Sequence, residues 1–256
     1  MTNTVAIVTG GSSGIGRATA LRLARDFSAV VVTARDAEGL ASAADEIRAA
    51  GADALAIDID LSEPEAAGLV VEKTRNAFGR IDALVNIAGA VPGIDLFDLT
   101  DAQWDMSLKL KFHGARRLTL KVWDALKMSK GAVVFTSGTG AEIPNSATAA
   151  IGTINAAIEA LAKAFADRGL KDGVQVNSVS PGPIMTKRRQ GLIEAAASAR
   201  GITVELAKQK FLEQAGITRF GEPEEIAELM AFAVSPAARW MTGTVLRMDG
   251  GEVKSI

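Results

Sequence analysis

Short apolar runs alternate along the chain with longer stretches of helical periodicity. The runs are Val5–Thr9, Ala29–Thr33, Ala54–Ile57, Ala83–Asn86, Ala132–Thr136, Val174–Ser178 and Val245–Met248. Most are continuously apolar, the pattern of strands covered on both faces by crossover helices. This end-to-end alternation predicts an α/β chain with a parallel, doubly wound sheet. No linker, low-complexity tract or internal repeat divides the 256 residues, so a single domain is expected. Two stretches exceed the minimal unit. Residues 101–128 predict one long helix capped by Thr100. An insertion at 186–217 carries Val204, Ala207, Phe211 and Ala215 on one helical face. It follows a strand's carboxyl end, where open α/β sheets bind ligands. It is therefore read as a lid over a pocket, the alternative being a surface helical hairpin.

Composition narrows the chemistry. Hydrophobic residues are 48% and charged residues 23%, ordinary for a globular protein. The 28 basic and 30 acidic residues show no basic excess of the kind that tracks nucleic acid. No apolar run approaches the roughly 18 residues of a membrane helix. Met1–Thr4 leads into a strand pattern without a signal-like apolar stretch, so a cytoplasmic protein is expected. The absence of cysteine excludes disulfides, thiolate metal sites and a catalytic thiol. His113 is the only histidine, which excludes a histidine-pair metal site, and it is read as packing at an interface. Asp58, Asp60, Glu63 and Glu65 fit strand-end and helix-start acids better than a hard-cation cluster, so no metal is expected. The chain also has no tyrosine.

Thr9-Gly10-Gly11-Ser12-Ser13-Gly14-Ile15-Gly16 follows the first strand and leads into a helix. Glycines there permit a tight turn and let the backbone approach a pyrophosphate beside the free N–H groups of the helix N-terminus. This turn resembles the T-G-x-x-x-G-x-G of the short-chain dehydrogenase/reductase family. Four further stretches agree in order and spacing. Asp60-Leu61 resembles the family's adenine-side Asp, and Asn86-Ile87-Ala88-Gly89 its N-N-A-G with Ile for the second Asn. Asn177 through Ser180-Pro181-Gly182-Pro183-Ile184 and Thr186 resembles the strand and P-G turn that hold the nicotinamide. Asp249-Gly250-Gly251 resembles the closing D-G-G.

The resemblance spans the chain. It implies a Rossmann-like seven-stranded sheet, a small-molecule substrate, and a homotetramer or homodimer built partly through the two longest helices. It also implies a nicotinamide dinucleotide held by Gly10, Ser12, Ser13, Gly14, Ile15, Gly16, Asp60, Leu61, Asn86, Ala88, Gly89, Asn155, Pro181, Gly182, Ile184 and Thr186. Sites for NAD place an acid at the end of the second strand to bond the ribose hydroxyls. Here that strand ends Thr33-Ala34-Arg35, with Asp36 as a possible neutraliser. Arg35 is expected to clamp a 2′-phosphate, so NADP(H) is favoured over NAD(H).

The family's catalytic groups are a Tyr, a Lys one turn later, a Ser and an Asn in the long helix. Ser137 matches the serine. Ile151 and Asn155 fall at the Tyr and Lys positions, and Lys111, between Trp104 and Gly114, replaces the Asn. The usual proton donor is therefore missing. One reading is an oxidoreductase acting on a carbonyl/alcohol pair through Ser137, Lys111 and Asn155. The others are a catalytically inactive dinucleotide-binding protein and a non-redox enzyme using the same pocket. Glu142, Asn145, Ser146 and Thr148 are further polar candidates, and Lys187-Arg188-Arg189 at the start of the insertion suits an acidic substrate.

Overall fold

A computed structural model describes residues 3–255. Seven parallel strands form one sheet in the order β3-β2-β1-β4-β5-β6-β7. They are β1 (Val5–Thr9), β2 (Ala29–Ala34), β3 (Asp53–Asp58), β4 (Ala83–Asn86), β5 (Ala132–Thr136), β6 (Gln175–Pro181) and β7 (Val245–Met248). The doubly wound, single-domain α/β architecture expected from the sequence is present, with each predicted strand in place.

Alternation along the strands sends side chains to two separate cores. Val5 and Ile7 of β1 join one cluster, and Ala6 and Val8 join the other. The first core is covered by α3 (Ala66–Phe78), α5 (Ala115–Ser129) and α6 (Ala149–Asp172), which contribute Val70, Leu118, Val122, Leu126, Ile158 and Ala162. The second is covered by α1 (Gly14–Leu23), α2 (Ala37–Ala49) and α9 (Pro223–Val234), through Leu23, Leu40, Ile47, Ile226 and Met230.

The predicted long helix is continuous but not uniform. α4 (Asp101–Ser107) starts at Thr100, whose side chain forms a capping box with Gln103. A π-helical turn, Leu108–Gly114, then joins it to α5. The helix over Ser146–Asp172 is long and apolar enough to cross a membrane by length and composition, although it holds no uninterrupted apolar run of that length. Asn155, Glu159 and Lys163 break that run, and in the fold Ile158, Ala162 and Ala166 pack on the sheet.

The insertion forms α7 (Lys187–Arg200) and α8 (Val204–Ala215). These two helices have a small core of their own, in which Ile193, Ala197, Ala207 and Phe220 are buried against Val204 and Phe211. Ala215, expected on the same face, is only partly buried and lies outside that cluster.

Candidate active site

The chain winds outward from β1 to β3, then returns to β4 on the other side of β1. Such a reversal leaves a crevice at the carboxyl ends of the strands. Thr9 shapes it: its Oγ1 accepts the N–H groups of Ile87 at 2.9 Å and Ala88 at 3.0 Å, tying the loop after β4 to the end of β1. The glycine turn folds back so that Gly10 N–H donates to Thr33 O at 2.8 Å. Gly10 and Gly14 have φ of +71° and +53°, backbone that favours glycine. Gly16 is required for a different reason. A Cβ there would lie 2.0 Å from Gly10 O, so the helix could not start so close to the turn. Ser13 caps α1 without a side-chain bond, and its first turn has no acid, so the helix N-terminus faces the crevice with free donors.

The crevice is a cleft of about 560 Å³. Gly10, Ser12, Ser13, Gly14, Ile15, Gly16, Arg35, Asp60, Leu61, Ala88, Gly89 and Thr186 line it. So do Thr33, Ala34, Asp36, Ile59, Ile87, Ala90, Leu110, Lys187 and Arg188, of which Ile59, Ala90 and Leu110 fall in none of the stretches that the sequence brought forward. Five of the expected residues do not line it, one of them Asn155, which lies beside Lys111. Asn86 is buried, donating through Nδ2 to Thr119 Oγ1 at 3.2 Å. Gly182 and Ile184 line a separate cavity beside Asp249, and Pro181 ends β6. Gly182 is there for packing, since a Cβ would fall 2.6 Å from Asp249 Cα. The D-G-G is a turn: Asp249 accepts the N–H groups of Gly251 and Val253.

At the end of the cleft beside β2, Arg35 donates to Asp60 at 3.3 Å, and its side chain is 65% exposed. Burial raises the Asp60 pKa, but bonds from Ser62 and the charge of Arg35 outweigh it and hold the carboxyl below its ordinary value. Asp36 is not Arg35's counterion. It caps α2, accepting Gly39 N–H at 3.0 Å.

At the other end the π turn presents Lys111. Gly89 makes room for its stem, because a Cβ there would be 3.0 Å from Lys111 Cδ. Gly114 lets the same helix lie against Leu61, whose carbonyl oxygen a Cβ would meet at 2.8 Å. The Lys111 ammonium donates to Asn155 Oδ1 and, at 3.2 Å, to the Ser137 carbonyl. Asn155 is buried and donates through Nδ2 to Gly138 O at 3.4 Å. The Ser137 hydroxyl donates to Val179 O at 3.3 Å. Lys111, Asn155 and Ser137 thus meet, and among the described residues one of the three ammonium protons has no acceptor. Burial, reinforced by Arg188, pushes the Lys111 pKa down to about 8 against the opposing charge of Glu159.

Ile151 belongs to an apolar wall with Val91, Leu99, Trp104, Leu108 and Ile154. Glu159 went unnoticed in the sequence, although it follows Asn155 by one helical turn as Asn155 follows Ile151. Its Oε1 is buried without a partner. Burial raises its pKa, the Ser137 hydroxyl and Lys111 lower it, and Glu142 raises it further. The other loop candidates are engaged elsewhere: Glu142 pairs with Arg247, and Asn145 accepts the Thr148 hydroxyl at the surface. His113 is partly buried, with its ring edge-on to Phe112 at 5.2 Å. Among the described residues no cluster of acids and histidine could hold a metal ion.

The family described as enoyl-(acyl carrier protein) reductase matches residues 10–252. The short-chain reductase protein NovJ of Streptomyces niveus is 32% identical over 248 residues, covering 96% of this chain and 93% of NovJ. The structure of L-sorbose reductase from Gluconobacter frateurii, complexed with NADPH and L-sorbose, superposes with a TM-score of 0.95 at 29% identity. It covers 100% of this chain and 98% of that one. NAD+-bound xylitol dehydrogenase superposes with a TM-score of 0.89 at 28% identity, covering 97% of this chain and 98% of that one. With the family match spanning the glycine turn, the cleft and the last strand, the chain belongs to the short-chain dehydrogenase/reductase family.

Proposed function

We propose that the protein is an NADP(H)-dependent oxidoreductase that interconverts a carbonyl and an alcohol at a lysine-centred site. One observation carries this reading: the cleft that begins at the uncapped N-terminus of α1 ends at Gly89, against which Lys111 lies, held by Asn155 and Ser137.

The residues present fit a dinucleotide. Free N–H groups of α1 suit its pyrophosphate, glycine backbone admits close approach, and Arg35 suits a 2′-phosphate. Such a cofactor supplies or accepts the two electrons and one hydrogen of the carbonyl/alcohol exchange. Lys111 supplies the rest. Its unused N–H points a charge-assisted donor at the substrate oxygen, and below pH 8 the ammonium holds a proton to give to it. Asn155 and the Ser137 carbonyl fix the direction of the remaining N–H groups. The wall around Ile151 keeps water from that side, and α7 and α8 serve as the lid. Exposed apolar side chains on the two long helices, among them Leu120 and Leu170, support the self-association expected for the family.

Arg35 gives the first test. A charge-assisted bond to a phosphate contributes about 1.5–3 kcal/mol. Releasing an exposed partner such as Asp60 costs at most about 1 kcal/mol. The net is roughly a tenfold preference for NADPH over NADH. Calorimetric titration with each cofactor should show that ratio, and Arg35→Ala should bring it to about one. Failure of both cofactors to bind would overturn the oxidoreductase reading.

A further inference from the structure

Most arginines near carboxylates in this fold are paired: Arg17 with Glu46, Arg22 with Asp26 and Glu228, Arg80 with Asp82, Arg219 with Glu225. Arg189 is different. It stands in the first turn of α7, where its N–H is fixed by the Thr186 cap at 3.2 Å. Its guanidinium lies 4.8 Å from the centre of the Phe211 ring, and Phe211 stacks on Phe220 at 5.3 Å. The side chain is therefore held by the small core of the lid and partly buried. Yet among the described residues the guanidinium has no hydrogen-bond acceptor and no ion pair. Burial and the neighbouring Arg188 disfavour its charge, and Glu252 favours it.

Glu252 is near but does not satisfy it. That carboxylate accepts the Thr139 hydroxyl at 2.6 Å, two residues beyond Ser137. Glu252 thus borders the site beyond Ser137, and its charge reaches Arg189. Lys187 and Arg188 line the dinucleotide cleft, whereas Arg189 does not. Arg188 also straps the lid to the apolar wall, donating to Val91 O at 2.6 Å. The charged groups around this space are Lys111, Arg188 and Arg189 with Glu159 and Glu252, while Glu142 is taken up by Arg247. A fixed guanidinium fork without an acceptor matches the two oxygens of a carboxylate.

We propose that Arg189 anchors a carboxylate of the substrate, so that the enzyme acts on an oxo acid or hydroxy acid. The carbonyl or hydroxyl faces Lys111 and the carboxylate faces the lid. This rests on the oxidoreductase reading, and its test is arranged to fail separately. Straight-chain and aromatic 2- and 3-hydroxy acids, each beside its primary amide, are titrated calorimetrically into the protein, once saturated with NADP+ and once without cofactor. At least one acid should bind tenfold or more tightly than its amide. Arg189→Met should bring that ratio to about one, and Arg189→Lys should keep part of it, with NADP+ affinity unchanged in both. Equal binding of every acid and amide, or a preference that survives Arg189→Met, would overturn the proposal. Loss of NADP+ binding alone would count against the oxidoreductase reading, because the cofactor-free titrations still report on Arg189.

Discussion

Replacing Lys111 by methionine removes a buried charge, and its effect should be read in the pH dependence of stability. In the unfolded chain this amine titrates as an ordinary lysine at 10.5; in the fold it titrates at about 8. The difference corresponds to about 3 kcal/mol, since each tenfold change in proton affinity is worth about 1.36 kcal/mol. Below pH 8 both states carry the proton, and the fold bears the whole cost of burying the charge. Between pH 8 and 10.5 the fold has released a proton that the unfolded chain still binds, so stability climbs with pH. The sequence has neither tyrosine nor cysteine to titrate in that window. Urea unfolding at a series of pH values across the window should show the climb in the natural protein and none in Lys111→Met. The absolute stability of the variant is a poor readout. Methionine strands Asn155 Oδ1 and the Ser137 carbonyl, and each buried orphan costs about 1–3 kcal/mol. A flat natural profile, or the same climb in the variant, would refute the assignment of a depressed lysine.

Arg188 lowers the Lys111 pKa through its charge, so Arg188→Met should move the start of that climb to higher pH. An onset that stays put would show that the two cations do not sense each other. Gly16→Ala should lower the urea midpoint and abolish dinucleotide binding, because the added carbon would sit 2.0 Å from a backbone oxygen that cannot step aside. Overpacking of this kind costs about 1–3 kcal/mol. An unchanged midpoint would contradict the packing account of that glycine.

The sheet was readable because continuous apolar runs are what two covered faces require. β6 is the instructive exception. It runs to Pro181 rather than stopping at Ser178, since its later residues pair with β7 through Met248. Ser178 and Ser180 imitate a turn in sequence but are buried in the sheet. The glycine turn was legible because its backbone demands are local. The interior of the site was not. Spacing put Lys111 and Asn155 at substituted positions, but only the packing of two helices shows that one side chain bonds the other. Glu159 was missed because helical spacing alone does not tell a buried carboxylate from a solvated one. Asn86, Pro181 and Gly182 carry structural duties that a motif does not display: a bond to Thr119, pairing with β7 and close packing on Asp249.

The π-helical turn at Leu108–Gly114 has a consequence for insertions and deletions. In an α-helix each residue adds about 100° of rotation, so a single deletion swings everything beyond it by that angle. Here the wider turn already absorbs part of the chain between two fixed ends: Thr100's cap on one side, and Leu118, Val122 and Leu126 seated on the sheet on the other. Removing one residue would let the turn relax to α-helical geometry and keep both ends seated. The casualty would be Lys111, carried away from Asn155. At this point the fold should tolerate a change in length that the chemistry does not.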